Sequence, residues 1–150
     1  MATVIDETIL LVEDNPDDIE LTMRAFRKNN IANNLMVARD GVEALDYLFC
    51  RGAFSDRDIK ETPRLILLDL KLPKMDGLQV LEALRSDDCT KLVPVVILTS
   101  SREEQDLISG YKLGANSYVR KPINFNEFVD AVRNIGLYWL LINEPAPDGH

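Results

Sequence analysis

Three short stretches, Ile9-Leu10-Leu11-Val12, Leu65-Ile66-Leu67-Leu68 and Val95-Val96-Ile97-Leu98, are apolar at every position rather than at every second one. Neighbouring side chains on a strand point to opposite faces, so unbroken hydrophobicity predicts strands covered on both sides, as in a parallel sheet. Leu35-Met36-Val37-Ala38 is a weaker run of the same kind, and Ser117-Tyr118-Val119 a shorter one. Between them lie segments with helical spacing and legible ends. Asn15 followed by Pro16 predicts an N-cap and a first helical residue, with Asp17, Asp18 and Glu20 suited to the positive end of the helix. Ile19, Leu21, Ala25 and Phe26 continue as its apolar stripe.

Gly41 opens a second helix, with Val42, Leu45, Leu48 and Phe49 as the expected inner face. A third follows the turn Asp76-Gly77 and carries Leu78, Val80, Leu81 and Leu84. Ser101 with Glu104 reads as a capping box for a fourth, and Gly114 stands where a left-handed C-terminal residue is wanted. Asn124 with Glu127 starts a fifth, with Phe128, Val129, Val132 and Ile135 on one side. Strand and helix thus alternate five times, which predicts an open sheet with helices on both faces. The connection from 50 to 64, "CRGAFSDRDIKETPR", is polar and is expected to be a surface excursion.

At 150 residues the chain is expected to be one domain with a sizeable core. Its net charge of −8 opposes a phosphate backbone at long range, against DNA binding. Cys50 and Cys89 have no spacing that makes a metal clip, and the one His is His150. The opening "MATVIDETILLV" has no basic segment and meets Asp6 and Glu7, unlike a signal peptide. No apolar run approaches the roughly 20 residues that span a bilayer, so a cytoplasmic protein is expected.

Open sheets of this kind place their chemistry at the carboxyl ends of the strands. There the first run ends in Glu13-Asp14, the third in Asp69, the fourth in Thr99-Ser100 and the fifth in Arg120-Lys121-Pro122. Three carboxylates, a hydroxyl and an ammonium would converge. Two carboxylates about 4 Å apart repel by roughly 4 kcal/mol at an effective dielectric of 20, so such a cluster calls for a cation. Few, hard oxygen ligands on rigid strand ends suit Mg²⁺, which keeps waters and welcomes a phosphate oxygen.

With "LVEDNPDD", "LILLDLKLPKMDG", Thr99-Ser100 and Lys121-Pro122 in order, the chain resembles the receiver domains of two-component response regulators over residues 7 to 135. The resemblance implies a flavodoxin-like, CheY-like α/β fold, a five-stranded parallel sheet in the order 2-1-3-4-5 with five helices. It implies that Asp69 is the phosphoacceptor, charged by the histidine of a sensor kinase. Asp14 would bind Mg²⁺ directly, Glu13 would support it through water, and Asp69 and the Lys71 backbone carbonyl would complete the protein ligands. Thr99 would hydrogen-bond a phosphoryl oxygen and Lys121 would neutralise another. The bond before Pro122 is cis in that family. Tyr118 matches an aromatic switch that turns inward when Thr99 moves, altering the face of the fourth helix and fifth strand.

Within the family, "LVEDNPDD", the long connection and "GLYWLLINEPAP" resemble small stand-alone regulators paired with phytochrome-type histidine kinases. Lys71 departs from the common pattern by bringing a bulky cation to the edge of the site. It also stands where Mg²⁺-dependent aspartyl-phosphate phosphatases carry a second Asp, which disfavours that enzymatic alternative. A phosphorylation-independent pseudo-receiver is opposed by the intact Glu13, Asp14, Asp69, Thr99 and Lys121. Asp17 and Asp18 read as helix-start charges rather than ligands. The apolar stretch from Gly136 to Ile142 either folds back on its own domain or docks a second copy, and a symmetric homodimer is the preferred expectation.

Overall fold

The computed structural model describes residues 8–31, 33–59, 61–99, 104–120 and 125–135. Five strands, β1 (Ile9–Val12), β2 (Leu35–Ala38), β3 (Leu65–Leu68), β4 (Val95–Thr99) and β5 (Ser117–Arg120), form one sheet in the order β2-β1-β3-β4-β5. All four pairings are parallel. The helices are α1 (Pro16–Lys28), α2 (Gly41–Leu48), α3 (Gly77–Arg85), α4 (Glu104–Lys112) and α5 (Phe125–Ile135), with a short 3₁₀ turn at Gly52–Phe54.

The unbroken apolar runs divide between two cores. Leu10, Val12, Ile66, Leu68, Val95 and Ile97 face a cluster with Leu45 and Leu48 of α2 and Val80, Leu81 and Leu84 of α3. Their neighbours Ile9, Leu11, Leu65, Leu67, Val96 and Leu98 face the other side, against Ile19, Ala25 and Phe26 of α1 and Phe128, Val132 and Ile135 of α5. A strand fully covered on both faces has no position where a polar residue is welcome, which is why alternation is missing from the sequence.

Caps fix the helix starts. Asn15 Oδ1 accepts from the backbone N–H groups of Asp17 and Asp18 at 2.8 and 3.3 Å. Asp40 caps α2 by accepting from Glu43 N at 2.8 Å. Asp76 and Gln79 form a reciprocal capping box on α3, with both bonds at 3.0 Å. Gly114 takes φ +95, as its place after α4 required. The expected caps at Ser101 and Asn124 lie outside the described residues.

One expectation needs correction. Val42 was placed on the inner face of α2 but is 41% exposed. The Asp40 cap sets the helix phase so that Gly41, Ala44, Leu45 and Leu48 form the i, i+3, i+4, i+7 stripe, and Val42 sits a third of a turn away. The connection from 50 to 64 runs over the surface as expected, with most of its described residues exposed, and side-chain contacts organise it. Tyr47 and Phe54 pack edge to face with centroids 5.2 Å apart, and the Arg57 guanidinium lies 3.9 Å over the Tyr47 ring. Arg57 also donates to the carbonyls of Tyr47 and Glu61.

Where the chain enters β4 and β5, Arg85 at the end of α3 donates to Gly114 O through two nitrogens, to the carbonyls of Lys91 and Val93, and to Asn116 Oδ1. Asn116 Oδ1 in turn accepts from Val95 N at 2.8 Å. One guanidinium therefore ties α3 to the turns on either side of β4 and α4. Burial pushes its pKa below the ordinary value, yet an arginine stays charged. Among the described residues no helix is long and apolar enough to cross a membrane.

Candidate phosphoryl and metal site

Register makes the site. β1 and β3 are adjacent and parallel with Val12 opposite Leu68, so the residues that follow them, Glu13 and Asp69, emerge side by side. Asp69 N donates to Val12 O at 3.0 Å and Glu13 N to Ala38 O at 2.9 Å, which holds both backbones in the sheet up to its last rung. Glu13, Asp14 and Asp69 each bring a carboxylate oxygen into a group whose members lie within 4.8 Å of one another. Glu13 is 2% and Asp69 6% exposed, while Asp14 faces solvent.

Two backbone donors serve these acids. Asn15 N lies 3.3 Å from Glu13 Oε2, and Lys71 N lies 3.2 Å from Asp69 Oδ1. The N-terminal end of α3 is pressed directly beneath. Gly77 N donates to Leu70 O at 3.0 Å, and a Cβ on Gly77 would stand 2.2 Å from Asp69 O. Only glycine permits that approach.

The acids fit a hard divalent cation. An octahedral Mg²⁺ holds oxygens at about 2.1 Å, hence no more than about 4.2 Å apart, so the group already stands near the required spacing. Enclosing two carboxylates beside a third is costly, and a divalent cation among them would offset part of that cost.

The other expected residues are placed as follows. The backbone of Thr99 continues β4 to this edge, opposite Arg120 in register, while its side chain lies outside the description. Lys121 and Pro122 also lie outside the described residues, as does the stretch from Gly136 to Ile142. Tyr118 is half-buried and packs on the core beside Ile97. Its ring lies against α4 at Gly110, where a Cβ would stand 3.7 Å from Tyr118 Cδ2. Exposed Ile108 and Tyr111 occupy the outer side of the same helix. Asp17 and Asp18 take part in the α1 start, as read from the sequence.

Sequence reasoning missed two ion pairs around the site. Lys71 Nζ lies 3.6 Å from Asp106 Oδ2 on α4, and Lys74 Nζ lies 3.4 Å from Asp40 Oδ2 at the start of α2. Each joins the β3–α3 loop to a distant element, and no local spacing announces either.

Residues 9–133 match the response regulator receiver domain. The chain belongs to that family. Rcp1 from Synechocystis is 37% identical over 134 residues, covering 89% of this chain and 89% of Rcp1. A crystal structure of Rcp1 in its Mn²⁺-bound form superimposes with a TM-score of 0.85 at 36% identity, covering 93% of this chain and 99% of that one. The phosphorylated cyanobacterial phytochrome response regulator RcpA gives a TM-score of 0.86 at 37% identity, covering 93% and 97%. FilR2 of Methanothrix harundinacea, a probable methanogenesis regulatory protein, is 40% identical over 140 residues, covering 93% of this chain and 88% of FilR2.

Proposed function

We propose that this receiver acts as a stand-alone, single-domain phosphoacceptor in a two-component phosphorelay. Asp69 accepts a phosphoryl group from a sensor histidine kinase, and the protein signals through altered protein contacts rather than by turnover of a substrate. The observation that carries this reading is the trio Glu13, Asp14 and Asp69, drawn from two strand ends into one group with oxygens within 4.8 Å. The match to Rcp1 and FilR2 along 89% and 88% of their own lengths supports a stand-alone regulator. RcpA, described as a phytochrome response regulator, supports a phytochrome-type kinase as the donor.

In the proposed transfer a carboxylate oxygen of Asp69 forms a bond to phosphorus as the bond from phosphorus to the kinase imidazole breaks. The transition state is loose, so orientation and charge neutralisation are what the protein must provide. Lys71 N–H fixes the Asp69 carboxylate through Oδ1. Glu13, Asp14, Asp69 and the Lys71 carbonyl would hold Mg²⁺, which supplies neutralisation of the phosphoryl oxygens when bound. Lys121 would neutralise a further oxygen, and Thr99 would hydrogen-bond another and draw Tyr118 inward at Gly110.

Phosphotransfer profiling against the host's histidine kinases tests the proposal. One kinase, of phytochrome type, is expected to label the protein rapidly and to leave Asp69→Asn unlabelled. Equal labelling of wild type and Asp69→Asn would reject the assignment.

A further inference from the structure

Lys71 contributes more than its backbone to the edge of the site. Its side chain, 61% exposed, borders a cleft of about 320 Å³ with Leu70, Leu72, Asp76 and Leu78, and ends 3.6 Å from Asp106, which is 16% exposed. The aspartate is the enclosed member of the pair and the lysine the exposed one, with open space beside its stem.

That exposure matters because of where the stem begins. Lys71 N is 3.2 Å from Asp69 Oδ1. The Cα is about 1.5 Å further on, and the ammonium hangs from it on a flexible four-carbon stem. The residue whose ammonium reaches Asp106 is thus anchored directly beside the Asp69 carboxylate. Three clustered carboxylates attract cations, and a second ammonium beside them competes with a divalent ion without supplying its coordination geometry.

We propose that Asp106 is a positioning residue that holds the Lys71 ammonium away from the Glu13, Asp14 and Asp69 carboxylates, reserving them for a divalent cation. The inference rests on the reading of those three acids as a metal site. It gives α4 a part in setting metal affinity, through a residue five positions before Tyr111 and outside the Thr99–Tyr118 route.

The test is Mn²⁺ binding to the full chain, measured by electron paramagnetic resonance on wild type, Asp106→Asn, Asp106→Glu, Lys71→Ala and the double variant Lys71→Ala/Asp106→Asn. Exposed ion pairs set the scale, so Asp106→Asn is expected to raise the Kd about threefold to fivefold. Asp106→Glu keeps the charge and should stay near wild type. Lys71→Ala should bind at least as tightly as wild type, and the double variant should match it. An unchanged Kd in Asp106→Asn overturns the inference. So does the same loss with and without Lys71, which would mean that Asp106 acts through its own charge. Wild-type protein that binds no Mn²⁺, or binds it unaltered by Asp14→Ala, would instead remove the metal site itself and both readings with it.

Discussion

Asp14 is the solvent-facing member of a carboxylate trio whose other two members are almost enclosed. Its charge can be removed with the least harm to packing and with relief of repulsion at a spacing under 4.8 Å. Asp14→Ala is therefore expected to stabilise the metal-free protein, by about 1 kcal/mol after allowance for solvent screening, or roughly 2–4 °C in Tm. The same variant should lose the stabilisation that Mg²⁺ gives wild type. An unchanged or lower Tm without Mg²⁺ would contradict the repulsion argument. Gly77 gives the opposite case. Ala at this position would drive a Cβ into Asp69 O, so it should cost about 1–3 kcal/mol in urea denaturation and weaken Mn²⁺ binding by moving the Asp69 backbone. A fully stable Gly77→Ala with wild-type metal affinity would show that the loop yields freely. The acids were legible in the sequence because each directly follows an apolar run, where chain and sheet end together. Asp106 was not, since only the packing of α4 beside the β3–α3 loop brings it to Lys71.

Elements were readable in proportion to how local their causes are. The Asn15–Pro16 start of α1 is settled by side chains within four residues, and the chain spells it out. The inner face of α2 was misjudged because its phase is set by Asp40, whose capping role was not recognised, so that Val42 was taken for a core residue. β4 and β5 each run one residue past their apolar stretch, because the Thr99–Arg120 pairing extends the ladder. The 50 to 64 segment looks polar in composition, yet it is organised by an arginine over a tyrosine ring, which composition does not express. Arg85 does comparable work for the α4–β5 turn. Arg85→Met should leave the carbonyls of Lys91, Val93 and Gly114 to water and cost about 2–3 kcal/mol, read as a lower urea midpoint with unchanged slope. A loss under about 0.5 kcal/mol would show that solvent replaces these bonds fully.

For the molecule as a whole, five unbroken or nearly unbroken apolar runs were enough to predict a covered parallel sheet, because burial on both faces leaves that pattern and few others. Periodicity alone does not order the strands; the order 2-1-3-4-5 followed from the resemblance, and β2-β1-β3-β4-β5 is the order found. The expected homodimer rests on the apolar stretch from Gly136 to Ile142, so a chain ending before Gly136 should run as a monomer in light scattering. A persistent dimer would place the interface elsewhere. The proposed function depends on Asp69 being the group that accepts phosphate. The direct measurement is the intact mass of the folded protein after incubation with Mg²⁺ and acetyl phosphate, followed by peptide mapping. A gain of one phosphoryl group mapped to Asp69, absent in Asp69→Asn, is the predicted result; no gain, or a phosphoryl group on any other residue, would contradict the account.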